Sequence, residues 1–466
     1  MTTPKQNYFF IGIGGIGMSA LARYFLLSGH RVGGYDRVRT PITIALEELG
    51  GEIIYEDDET LIPEAYRLPG EVRVVFTPAI HEDNRLRQYY ARGGVREWKR
   101  SEVLGEISRL KQALCVAGTH GKTTTSTLLA HLLDTSHIGA NAFLGGVSLN
   151  FGSNLLVDDR SPYVVIEADE FDRSFHRLSP FCSIITANQP DHLDIYGTAE
   201  AFHEAFRIFA GMTDKSGRLI VQEEVQDLPA PEGILTESYG ASERCDYYYS
   251  DLRYEEGELR FDWHYDGGKG VFKNMEIGTP IEINVMNATA ALALAYRLGC
   301  TEEELREGLR TFRGAHRRFE RTKLPDGRVV IDDYAHHPDE IRASLSSIRD
   351  LYPGRRVTVV FQPHLFSRTR DFLEEFGKAL SIADEVILIP IYPAREAPIP
   401  GITSEAILPF VTAREKSVTP KETLPETLRA SGADVLVMMG AGDIEFEVPK
   451  VIAALNTQTD RPPVSE

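Results

Sequence analysis

A lysine set in a glycine turn constrains this chain more than any other feature. The apolar run Ala113–Ala117 leads into Gly118-Thr-His-Gly-Lys-Thr-Thr-Thr125, and a helix-like segment, Thr123–Leu133, follows. A strand that ends in such a turn and re-enters a helix aims backbone N–H groups and the positive end of the helix dipole at one point, where phosphate is held. There, Lys122 reaches the outer phosphates and the Thr123 hydroxyl suits Mg²⁺. The longer pattern G-x-x-x-x-G-K-[ST] is not met, because Val116 stands where its first glycine would be. The loop is built on Gly118 and Gly121 alone.

The same grammar recurs. Tyr8–Ile13 reads as a strand, Gly12-Ile-Gly-Gly-Ile-Gly17 as a turn and Met18–Leu27 as an apolar-faced helix. A second strand, Arg31–Tyr35, ends in Asp36, which completes G-x-G-x-x-G with an acid about 20 residues on. Val72–Phe76, before Thr77-Pro78-Ala79, is another strand. In a second block, Tyr163–Ile166 runs into Glu167-Ala-Asp-Glu170, and Cys182–Thr186 precedes Asn188-Gln-Pro-Asp-His192. Residues 217–283 alternate in polarity and predict a small antiparallel section, with a long helix over Asn287–Leu298. A third block carries strands at Val329–Asp333, Val357–Phe361, Glu385–Pro390 and Val435–Met439. Strands alternating with helices imply parallel sheets. The expected fold is α/β in three domains. The N-terminal one is Rossmann-like (1–110), the central one a P-loop ATPase-type α/β domain with the antiparallel section (111–312), and the C-terminal one again Rossmann-like (313–458). A polar tail (459–466) follows.

A chain of 466 residues exceeds one core. No apolar run is long enough to cross a bilayer, and Met1–Asn7 does not read as a signal peptide. Cys115, Cys182, Cys245 and Cys300 are scattered, as reduced thiols of a cytoplasmic protein are. The net charge of −19 argues against a nucleic-acid surface. It does not argue against nucleotides, which a local cationic cluster can hold.

Chemistry in an open parallel sheet gathers at the carboxyl ends of its strands. In the central block those ends carry Lys122-Thr123, Glu167 and Asp191-His192. Thr123 and Glu167 are hard oxygen donors suited to one Mg²⁺; His192 is a less usual ligand, placed for a second ion. Asp169, Glu170 and Asp172 crowd one turn, some facing solvent, and receive no metal role. In the third block, Asp332-Asp-Tyr-Ala-His-His-Pro338 and Gln362-Pro-His-Leu-Phe-Ser-Arg368 follow strands, so His336, His364 and Arg368 can grip an anion. His316-Arg-Arg-Phe-Glu320 lies upstream, and its paired arginines suit phosphate.

Taken together, these motifs resemble the Mur ligases of peptidoglycan synthesis, in the family's order and over nearly the whole chain. The resemblance implies a first domain for a UDP-sugar, a second for ATP and a third that closes over both with the amino acid. It implies ATP-dependent joining of L-alanine to the carboxylate of UDP-N-acetylmuramate through an acyl phosphate, by a monomer or homodimer. Gly14, Gly15, Ile16, Gly17 and Asp36 then hold the UDP-sugar. Gly118, Thr119, His120, Gly121, Lys122, Thr123, Thr124, Asn287 and Arg318 hold ATP. Thr123, Glu167 and His192 hold Mg²⁺. Lys122, His192, His336, His364 and Arg368 serve catalysis. The chain departs from the family at Ile283, where many members have His, and at Leu365, where many have a basic residue. Two other readings stand beside this one: a relative that adds a preformed peptide in cell-wall recycling, and an NAD-dependent oxidoreductase using Gly12–Gly17 with Asp36 on the ribose.

Overall fold

The computed structural model describes residues 6–77, 80–191, 193–255, 258–394 and 396–456. Pro78, Ala79, His192 and the tail expected at 459–466 lie outside the described residues. The chain divides into two compact units: residues 1–250, 262–275 and 286–311 form one, and residues 251–261, 276–285 and 312–466 the other.

The first unit begins with a five-stranded parallel sheet. Its order is Glu52–Ile54, Arg31–Tyr35, Asn7–Ile11, Val72–Phe76, Glu97–Lys99. The order reverses at Asn7–Ile11, and the glycine turn leaves that strand at the crevice this reversal opens. The strand stops at Ile11, two residues short of the expected Ile13, because Gly12 turns with φ 87°. The helix begins at Ile16.

A ten-stranded sheet has Gln112–Ala117 near its middle, between Tyr163–Glu167 and Cys182–Ile185, both parallel to it. The register Val116–Glu167 and Ala117–Ile185 brings three carboxyl ends level. The section expected to be antiparallel is only partly so. Leu219–Gln222 pairs parallel with Cys182–Ile185, and Thr236–Gly240 pairs parallel with Leu219–Gln222. Both therefore extend the parallel sheet. Alternation of polarity reports one covered face and is blind to strand direction. Tyr247–Glu255 also meets Thr236–Gly240 in parallel, at Tyr239–Tyr247 and Gly240–Tyr248, and Glu258–Tyr265 and Gly270–Ile277 follow it to the sheet edge.

The two sheets of this unit share one apolar core. Tyr8, Leu21 and Phe25 belong to the same cluster as Cys115, Phe143 and Ile166. Tyr24 meets Phe143 edge-on with centroids 5.3 Å apart, and Asn154 Nδ2 donates to Ile16 O at 2.7 Å. In the helix Lys122–Asp134, Thr125–Leu133 are buried throughout.

The second unit holds a six-stranded sheet in the order Glu320–Lys323, Val329–Asp333, Val435–Met439, Val357–Phe361, Glu385–Leu388, Glu415–Val418. Only the first pairing is antiparallel. Apolar clusters cover both faces. All four cysteines are buried and unbridged. Among the described residues no helix is long and apolar enough to cross a membrane.

Trp263 is fully buried among Tyr247, Tyr265, Phe272 and Tyr296, and its indole N–H has no hydrogen-bond partner among the described residues. Trp263→Ala should cost about 3–5 kcal/mol through the cavity it leaves. Trp263→Phe should cost much less, because it also removes the orphaned donor. Urea-unfolding midpoints of the two variants check this; equal losses would contradict it.

Candidate active site

Two helices of the first unit start without a side-chain cap, one at Gly15 and one at Gly121, and neither has an acid in its first turn. Their first N–H groups lack intrahelical acceptors. Gly121 adopts φ 79°, and a Cβ there would sit 2.6 Å from Asn287 Oδ1, so both conformation and space demand glycine.

The phosphate loop is braced from several sides. Thr119 N–H donates to Ala187 O at 3.1 Å, and its hydroxyl donates to Gln189 Oε1 at 3.0 Å. Thr186 donates to His120 O. Asn287 is buried and accepts from the Thr125 hydroxyl at 3.3 Å, so its carbonyl supports the turn from behind. Thr123, which is buried, donates to Glu167 Oε1 at 3.1 Å. Glu167 Oε2 accepts from Gly145 N–H at 3.0 Å and from Ser126 at 3.4 Å. The hydroxyl and carboxylate thus place hard oxygen donors side by side. Thr124 follows, half-buried on the same helix.

Lys122 is held by Glu170, an acid the sequence left without a role. Its ammonium lies 2.8 Å from Glu170 Oε2 and 2.9 Å from Oε1, and it donates to Gly118 O at 2.5 Å. Glu170 is 2% exposed. Burial pushes its carboxyl up against the pull of Lys122.

A cavity of about 390 Å³ has Gly15, Ile16 and Gly17 on one wall and Gly145, Glu167 and Asp169 on another. Arg100 lines it, and Gly17 has no room for a Cβ because Arg100 Nη1 would lie 2.6 Å away. No sequence pattern singled Arg100 out. A second cavity of about 430 Å³ adjoins Gly12, Asp36, Arg37 and Asn84. Asp36 braces the turn: its Oδ2 accepts from Gly14 N–H at 2.8 Å and its Oδ1 from Val38 N–H at 3.2 Å. One oxygen is thus committed to the glycine turn and the other to the segment that follows the strand.

In the second unit, His336, His364 and Arg368 meet at the carboxyl edge of the sheet. The two imidazole centroids are 6.1 Å apart, and His364 stacks on Tyr392 at 5.7 Å. Leu365, with φ 72°, is pinned by its N–H to Tyr392 O at 3.0 Å. Among the described residues, His364 Nδ1 and Arg368 Nη1 are buried without hydrogen-bond partners. Both imidazoles are shifted toward the neutral form. Burial lowers His336, and burial with His336 and Arg368 nearby lowers His364 to about 4. His336 Nδ1 lies 3.0 Å from Tyr334 O, so that nitrogen carries the proton and Nε2 presents a lone pair.

The paired arginines divide their labour. Arg317 is buried and donates to Gly440 O and to Gly442 O. Arg318 lies over the Tyr334 ring at 4.9 Å and forms no ion pair among the described residues, which leaves it for an anion. His316, Glu320 and Asp332 come within 4.8 Å of one another. His316 Nδ1 is 2.6 Å from Glu320 Oε2, which raises its pKa, and Arg317 Nε stands 3.5 Å from Asp332. This is an ion-pair network with its own cations. Desolvation lifts Asp332 to about 6.

Comparison with known proteins agrees with this geometry. Residues 7–112 match the Mur ligase family catalytic domain, 116–295 the Mur ligase middle domain and 317–442 the Mur ligase glutamate ligase domain. The chain belongs to the Mur ligase family. It is 48% identical over 456 residues to a protein of Porphyromonas gingivalis named UDP-N-acetylmuramate–L-alanine ligase, covering 97% of this chain and 99% of that one. A Phocaeicola vulgatus protein of the same name is 49% identical over 453 residues, covering 97% and 98%. Among solved structures, the UDP-N-acetylmuramate–alanine ligase of Thermotoga maritima superposes with a TM-score of 0.81 at 28% identity, covering 97% of this chain and all of that one. The α/β fold in three domains is thus the family's.

Because His364 is held neutral, the unfolded chain binds a proton that the folded chain does not between about pH 6.5 and 4, and stability falls as pH drops through that window. His364→Gln should flatten this fall. Denaturation midpoints at pH 7 and pH 5 test it; an unchanged pH dependence in the variant would contradict it.

Proposed function

We propose that this chain joins L-alanine to the lactyl carboxylate of UDP-N-acetylmuramate at the expense of ATP. One observation carries the reading: the Gly15–Gly17 turn and Glu167 line the same cavity, so a sugar carboxylate and a γ-phosphate held on neighbouring helix N-termini can meet there. The curated relatives at 48–49% identity support the choice of substrates. The domain boundaries that fit this reading fall near residues 110 and 313, with UDP-sugar, ATP and amino-acid roles in chain order.

A carboxylate is a poor acyl donor, because its charge repels an amine and oxide leaves badly. Its oxygen attacks the γ-phosphorus, the bond to the β-phosphate oxygen breaks, and ADP departs. The amine nitrogen then attacks the carbonyl carbon of the acyl phosphate. The tetrahedral intermediate expels phosphate and loses the amine proton. Such phosphoryl transfer depends on positioning and charge stabilisation. Lys122 and the Gly118–Thr124 turn supply both for the β- and γ-phosphates. Gly14–Gly17, braced by Asp36, hold the diphosphate of the sugar, with Arg100 beside them. Thr123 and Glu167, with His192 as a further ligand, would hold Mg²⁺, which supplies charge neutralisation at the phosphate oxygens. To the second unit we assign Arg318 for phosphate, His364 and Arg368 for the amino acid, and His336 for catalysis.

Phosphate release by the purified protein should require ATP, Mg²⁺, UDP-N-acetylmuramate and L-alanine together. Lys122→Ala should lower that rate by about a hundredfold or more, as loss of a preorganised charge does. Release without the amine, or full activity in Lys122→Ala, would refute the reading.

A further inference from the structure

Glu170 sits where a triphosphate-binding lysine does not ordinarily need a partner. Three acids crowd this turn, and each has its own engagement. Asp169 Oδ1 accepts from Phe171 N–H at 3.1 Å, and Asp172 accepts from Ser174. Glu170 alone turns inward, with both oxygens within 2.9 Å of Lys122 Nζ. The backbone is built to aim it. Asp172 and Arg173 adopt φ 47° and 60° in succession, a conformation costly for non-glycine residues. Glu170 O accepts from Arg173 N–H at 2.9 Å and from the Tyr196 hydroxyl at 2.5 Å. Arg173 in turn lies over the Tyr196 ring at 5.2 Å.

A buried ion pair contributes little net stability, because desolvation offsets its attraction. A strained turn maintained for such a pair therefore points to another role. The pair occupies the ammonium that the outer phosphates need. The same ammonium lies on Gly118 O at 2.5 Å and near Thr119 O at 3.5 Å, folded back onto its own loop.

We infer that Glu170 is a displaceable latch on Lys122: it holds the ammonium back on the phosphate loop and yields it to incoming phosphates. This rests on the reading that the loop binds ATP. The latch gives an otherwise isolated lysine a counter-charge between turnovers. It also loosens the grip on nucleotide, because a fixed negative charge beside the phosphates competes for Lys122 and repels them. Glu170 is thus a positioning residue that sets nucleotide affinity, and with it the ease of ADP release.

The test is calorimetric titration of the full chain with ADP and, separately, with inorganic tripolyphosphate in the presence of Mg²⁺. Glu170→Gln removes the charge and keeps the shape. It should tighten the Kd for ADP about tenfold and lower the KM for ATP without raising kcat, whereas a merely structural role predicts weakened binding. Glu170→Asp keeps the charge but withdraws it, and should tighten ADP two- to threefold, an arm that reads the latch even if the glutamine variant fails to fold. Unchanged or weaker ADP binding in the folded variants overturns the latch. Wild-type protein that binds neither ADP nor tripolyphosphate overturns the reading of the loop itself, so the two failures are distinguishable.

Discussion

Helix starts left open by glycine govern the first unit. A side-chain cap at Gly15 or Gly121 would satisfy the orphaned N–H groups from within, and the attraction for phosphate would fall. With caps absent, the surroundings stabilise the turns in other ways. Asp36 holds the first by Gly14 N–H, and Asn287 backs the second. The parallel register then brings Glu167 level with the end of the strand that leads into the Lys122 turn. Two uncapped helix starts and a hydroxyl–carboxylate pair follow from strand order in a chain of net charge −19.

The second unit works by exclusion of charge as much as by its presence. Burial keeps His336 and His364 neutral beside Arg368, so the guanidinium is the cation there and the imidazoles are lone-pair donors. Arg317 is committed to loop carbonyls and Asp332, while its neighbour Arg318 is not. A sequence of two adjacent arginines thus yields one structural and one available cation.

Much of this was legible in the sequence, and the remainder fails for physical reasons. Lys122, Thr123 and Glu167 were readable because each follows an apolar strand, and strand ends are where an open sheet places chemistry. Glu170 was not, because three acids in one turn look alike in sequence and only the structure shows that Glu170 is buried on Lys122. Asp36 matched a ribose-binding spacing, and in the structure its Oδ2 also braces the glycine turn through Gly14 N–H. Arg100 belongs to no motif; only the fold brings it against Gly17. Leu219–Gln222 and Thr236–Gly240 read as antiparallel because polarity patterns carry no direction. His192, expected at the metal, lies outside the described residues.

The central claim is that the sugar carboxylate is phosphorylated before the amine attacks. Oxygen tracing tests it most directly. With UDP-N-acetylmuramate carrying ¹⁸O in its lactyl carboxylate, the account predicts that one labelled oxygen leaves with the released phosphate and the other stays in the amide. Mass spectrometry finding unlabelled phosphate alongside normal product formation would contradict it.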